Sequence, residues 1–113
     1  MDRTADPRAA ALAHYLREQA AAFSLSADAT GEQHIADAGM ALLDAADLAG
    51  RLRADDSQLE TLTLAGRFEA MPGGATRFVD SPDLRAAVRR PLSGSSRSGK
   101  EILALVVTTA GGR

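Results

Sequence analysis

The chain of 113 residues contains no cysteine and no tryptophan. The first absence removes disulfide staples, thiolate metal centres and cysteine nucleophiles together, and it fits a reducing compartment. Only four residues are aromatic, Tyr15, Phe23, Phe68 and Phe78, so each large side chain must carry a big share of the burial energy. A core this thin, with nothing covalent to supplement it, makes self-association the default expectation, and a homodimer is expected. Lysine occurs once, at Lys100, against twelve arginines, and the chain is rich in Ala, Gly, Asp and Leu; that bias points to a high-GC, bacterial coding sequence. No run approaches the roughly 18 apolar residues of a membrane span. The start of the chain, Met1 to Pro7, has neither the basic residues nor the apolar stretch of a signal peptide, so the expected location is the cytoplasm, with no membrane partner.

What is present suffices for a fold. The hydrophobic fraction is 45% and the charged fraction 25%, too apolar for a chain that stays disordered and of a length that suits a single domain over residues 1–113. The net charge of −2 hides an asymmetry: residues 1–65 carry five Arg and eleven Asp or Glu, whereas residues 66–113 carry seven Arg, one Lys and four Asp or Glu. The first part is therefore acidic and the second basic. Such a split can draw one part of the fold onto the other, pair two copies, or present a basic surface to an acidic partner.

Helix-start chemistry recurs along the chain. Asp6-Pro7 offers a cap followed by proline at the first helical position, and Leu12, Leu16, Ala20 and Phe23 then fall on one stripe; the spacing predicts a helix from Pro7 to about Phe23, with Ser24 to Gly31 as a connection. A second helix is predicted from Thr30 to Arg53, with a seam of small residues at Ile35, Ala38, Gly39, Leu42, Ala45, Ala46, Ala49 and Leu52. Small side chains allow close helix approach, and Ile35, Leu42, Ala46 and Ala49 are the expected self-association residues. Ser57-Gln58-Leu59-Glu60 has capping-box spacing and favours a helix towards Met71, yet Leu62, Leu64, Gly66, Phe68 and Ala70 also alternate, so a β-hairpin at 62–79 around Pro72-Gly73-Gly74 competes with it. Ser81-Pro82 opens a short helix to Arg90, stopped by Pro91; residues 93–99 read as a flexible loop, and 110–113 as a disordered tail. Ser98 and Glu101 have capping-box spacing, while the apolar stretch 101–109 suits either a buried helix or a buried strand. The expected fold is mostly α, a small bundle of about five helices with the hairpin as its open question.

Candidate chemistry is sparse. Gly94 to Lys100 has the spacing of a phosphate-cradling loop, but the residue that follows is Glu101, where such loops need a hydroxyl for magnesium and where a carboxylate repels phosphate. His14 with Glu18, and His34 with Asp37, have the helical spacing of paired metal ligands, but nothing requires the two pairs to converge. Asp44 with Asp47 and Asp55 with Asp56 have no apolar pocket in prospect to shift a pKa, and no serine sits in a strand-turn-helix elbow. No enzyme, cofactor or metal is therefore expected. The cluster Arg85, Arg89, Arg90, Arg97 and Lys100 is the strongest candidate surface, for an acidic protein partner or for nucleic acid.

Ala46 to Leu52, then Arg53 to Asp56, then Ser57 to Leu62 resembles the helix-turn-helix of small winged-helix regulators, with residues 67–79 as the wing. The resemblance covers about a third of the chain and implies an α+β fold and DNA binding, with Arg67 and Arg77 on phosphate. Its recognition helix offers Gln58, Glu60, Thr61 and Thr63, and no basic residue before Arg67. The leading expectation is a non-enzymatic interaction or regulatory module; the alternative is the DNA-binding regulator.

Overall fold

The computed structural model describes residues 6–30, 33–86 and 98–111, with the side chains of residues 23–36 outside that description. Asp6 starts the first helix, α1 (Pro7–Thr30), as expected: its carboxylate accepts the Arg8 backbone N–H at 2.8 Å, and its carbonyl accepts the Ala10 N–H at 3.0 Å. The helix does not stop near Phe23. Residues 20–30 hold alanines and serines without a glycine or proline, and the first breaker in the chain beyond Pro7 is Gly31.

Helix α2 (Gln33–Gly50) is shorter than the span predicted to Arg53 and does not include Thr30, which belongs to α1. Its last turn tightens into i−3 bonds, Arg51 N–H to Leu48 and Leu52 N–H to Ala49, at 3.1 and 3.2 Å. The predicted small-residue seam is real, but it faces inward. Leu42, Ala45, Ala46 and Ala49 are buried within the single chain, in a core shared with α1 and the last helix. The side chain of Ile35 lies outside the described residues.

Asp56 rather than Ser57 caps α3 (Ser57–Leu64), its carboxylate accepting the Gln58 N–H at 2.8 Å. The helix then ends seven residues short of Met71. Gly66, at φ 76°, takes the left-handed position that follows a helix: its N–H returns to Thr63 and that of Arg67 to Leu62, both at 3.0 Å. This paired closure satisfies two end carbonyls and turns the chain into β1 (Phe68–Ala70), which pairs antiparallel with β2 (Thr76–Phe78) in the register Phe68↔Phe78. The hairpin therefore stands where a longer helix competed for the same residues. Phe68 meets Phe78 edge-on at 5.8 Å, and Phe78 meets Tyr15 at 4.7 Å, so three of the four aromatic rings join the hairpin to α1.

Ser81 caps a fourth helical stretch, α4, which covers residues 82–86 among those described, through Leu84 N–H to Ser81 Oγ at 3.1 Å. The apolar stretch near the C-terminus is a helix, α5 (Gly99–Gly111), opened by a reciprocal box: Glu101 N–H donates to Ser98 Oγ at 3.2 Å and Ser98 N–H to Glu101 Oε1 at 2.9 Å. Gly99 belongs to this helix rather than to the loop expected at 93–99, and residues 110 and 111 to its last turn rather than to a tail; residues 93–97, 112 and 113 lie outside the described residues.

Among the described residues the fold is thus mostly α, five helices and a two-stranded antiparallel sheet. One contiguous core runs through α1, α2, α5, Leu62 of α3, Phe78 of β2 and Leu84 of α4. Among the described residues no helix is long and apolar enough to cross a membrane.

The start of α1 is also an electrostatic anchor. The Arg8 guanidinium binds both Asp6 carboxylate oxygens, at 2.9 and 3.0 Å, and reaches Ala54 O at 2.9 Å and Thr63 Oγ1 at 3.1 Å. The hydrogen bond from the Arg8 side chain holds the Asp6 carboxyl below its ordinary value. A carboxylate depressed in the folded state stabilises above its unfolded pKa, and that contribution is lost as pH falls through the folded value. Asp6→Asn is expected to cost about 1–2 kcal/mol at neutral pH, and the difference from the parent, read in urea titrations down to acid pH, should shrink once Asp6 is protonated.

Candidate functional site

Of the basic cluster, Arg85 and Lys100 are among the described residues. Arg85 Nε lies 3.1 Å from Asp80 Oδ2, an ion pair whose N–H is not aligned on the oxygen, and Lys100 is exposed in the first turn of α5. Arg89, Arg90 and Arg97 lie outside the described residues. The two arginines assigned to a wing are engaged within the fold. Arg67 donates from Nε to Ala110 O and from its terminal nitrogen to Val79 O, both at 3.1 Å, tying the end of α5 to the strand exit; Arg77 pairs across the hairpin with Glu69. Arg67→Met is expected to lower unfolding free energy by about 1–3 kcal/mol, because two carbonyls lose a charged donor; a urea titration measures it.

The other motifs also resolve into structure. Glu101 occupies the N-terminus of α5, where its carboxylate accepts the Ser98 N–H, the place a bound phosphate would need. His14 and Glu18 form an exposed pair at 3.3 Å, and no group of three His, Cys, Asp or Glu side chains converges among the described residues. His34 falls among the residues whose side chains are outside the description. Asp47 pairs with Arg51 at 3.2 Å, and Asp55 lies in the turn before α3.

What the fold creates instead is a groove of about 770 Å³ between α1 and β2. One wall is a helical stripe, Pro7, Ala10, Ala11, His14 and Glu18, with Tyr15 beside it; the other is the chain from Gly74 to Asp80. The stripe repeats at three- and four-residue spacing, so all of it faces the hairpin side of α1. The volume falls in the range of ligand and peptide clefts, roughly 300–1,000 Å³. The wall is small and apolar at Ala10 and Ala11 and carries charge at Glu18, Arg77 and Asp80. No residue of β1 lines the groove, so it opens on the side of β2 that faces away from β1.

Behind the groove wall the Tyr15 hydroxyl is enclosed beside Asp80, without the alignment of a full hydrogen bond. Burial, then the nearby charge of Asp80, pushes its pKa far above the ordinary phenol value. The phenol therefore stays protonated and neutral through the physiological range, which suits a packing ring and not a base.

This groove is not legible in the sequence. Its one local signal was the outward stripe of α1, where Ala10 leaves a gap between larger residues; the opposing wall comes from residues more than 50 positions away and exists only once the hairpin folds back on Tyr15. No family model matches the chain, and comparisons with curated proteins and with solved structures return no match.

Proposed function

We propose that this protein is a non-enzymatic interaction module that seats part of a partner protein in the groove between α1 and β2. The observation that carries the reading is the groove itself, an open recess walled by alanines and by the free side of β2. The groove's ionisable side chains also speak against acid-base chemistry. They pair on the surface, Arg77 with Glu69, Asp80 with Arg85 and Glu18 with His14, rather than lying enclosed in an apolar pocket. An acidic partner at the exposed Lys100 is a second contact consistent with this module.

The absence of cysteine makes the test direct. Ala10→Cys, labelled with a benzophenone, is expected to give an adduct with a cellular protein; Ala104→Cys, on the exposed side of α5, is expected to give none. Unlabelled protein should compete the adduct away, and equal labelling from both positions would sink the reading.

The hairpin after α3 is the observation that favours the DNA-binding alternative. That reading requires salt-sensitive duplex binding that weakens when Arg77 is replaced. On the module reading Arg77→Ala changes no such binding, because α3 presents Glu60 and an 82% exposed Leu64 to solvent and no cation.

A further inference from the structure

The register of the hairpin says which backbone groups face the groove. Val79 N–H donates to Arg67 O at 2.8 Å and Met71 N–H to Ala75 O at 2.7 Å, so the hydrogen-bonded pairs are 67 with 79, 69 with 77 and 71 with 75. Thr76 and Phe78 occupy the alternate, non-bonded positions, so their N–H and C=O groups point away from β1, and both residues line the groove. Among the described residues none pairs with them as a strand. The groove is thus bounded by a short unpaired strand edge and, opposite it, a helix wall whose central residues are alanines.

Its length matches an extended chain. From Pro7 to Glu18 the stripe on α1 rises about 16 Å at 1.5 Å per residue, the reach of about five residues in strand conformation. Charge adds a polarity to the occupant. The lining holds two carboxylates, Glu18 and Asp80, against one guanidinium, Arg77, and the exposed Glu18 meets His14 at 3.3 Å, so the groove leans negative.

Resting on the groove reading, we propose that the occupant is an extended segment of about five residues from a partner protein, carrying a basic side chain towards Glu18. It adds as a third strand to β2 through the N–H and C=O groups of Thr76 and Phe78. Alternate side chains of the segment face the Ala10 and Ala11 wall, where only small or flat groups fit, and the intervening ones face solvent. A second copy of this chain is a poor occupant, because its own β2 is flanked by its own α1.

The test uses a phage-displayed heptapeptide library selected on the whole chain and counter-selected on Ala10→Arg, which fills the groove from a helical position. The enriched peptide is then made synthetically and titrated into labelled protein. Strand addition expects shifts and slowed exchange at the Thr76 and Phe78 amides. It also expects a tenfold or larger loss of affinity when alternate peptide nitrogens are methylated, with little loss at the nitrogens between. Glu18→Gln should weaken binding by about threefold. A peptide that needs an open groove but tolerates every methylation would overturn strand addition and leave the groove reading standing. Concentration-dependent shifts at Thr76 and Phe78 without peptide would assign the edge to a second copy and overturn the proposal. If no peptide loses affinity for Ala10→Arg, both readings fall.

Discussion

Leu42→Ala is expected to lower unfolding free energy by about 2–5 kcal/mol, the cost of deleting a fully buried leucine and leaving a cavity. Leu42 is wholly inaccessible at the centre of α2, where α1 and α5 cover it. Against a total of about 5–15 kcal/mol for a domain of ordinary stability, that loss is a large share. The result also decides where the seam is used. If Leu42 is packed within one chain, the urea midpoint falls by the same amount at protein concentrations a hundredfold apart. If the seam instead joins two copies, the stability of the parent rises with concentration and the variant loses that dependence. The equal shift is the expected outcome.

Gly99→Ala is expected to destabilise by about 1–3 kcal/mol, although alanine is the better helix former by about 1 kcal/mol. A Cβ at Gly99 would stand 2.6 Å from Asp44 Cβ and 2.8 Å from both Ala45 N and Asp44 C. Two of those three atoms are backbone within α2, so no side-chain rotation relieves the overlap. Either α5 must lift from α2 or the reciprocal cap at Ser98 and Glu101 must distort. Gly50→Ala is the matched control: its added methyl would lie 3.7 Å from Ala13 Cβ, an ordinary contact, and the change should be neutral or slightly stabilising. Thermal melts of the two variants should therefore move apart. Equal effects would mean that α5 does not approach α2 as closely as this geometry requires.

These two positions show how differently the chain announces its features. Leu42 was recognisable as an apolar seam residue from its spacing with Ala38, Ala45, Ala46 and Ala49, and the seam is there. The identity of the opposing surface was not recognisable, because a stripe of small residues packs equally well on a helix of the same chain or on one of a copy. Gly99 falls in a stretch, Ser93 to Gly99, whose composition is that of a linker. Its role follows from where the capping box at Ser98 sets the start of α5 and from how near that start lies to Asp44.

The hairpin is a similar case. The alternation through Phe68 and Ala70 and the Pro72-Gly73-Gly74 turn were visible, as was a competing helix towards Met71. The contest is resolved by Gly66, whose left-handed conformation closes α3, and by the packing of Phe68 on Phe78 and of Phe78 on Tyr15. Ring contacts across such a separation carry no trace in local periodicity.

What the sequence determined by itself is local. The caps at Asp6, Ser81 and Ser98, the inward faces of α1 and α2 and the predominance of helix all follow from hydrogen-bond chemistry and apolar spacing within a few residues. Only the tertiary structure decided which surfaces are spent and which remain. It buried the seam offered for self-association, tied Arg67 and Arg77 into the fold, and set β2 beside α1 so that a groove opens between them. The physical reason is that burial and the pairing of charges depend on distances between residues far apart in the chain, and those distances exist only after the core has closed.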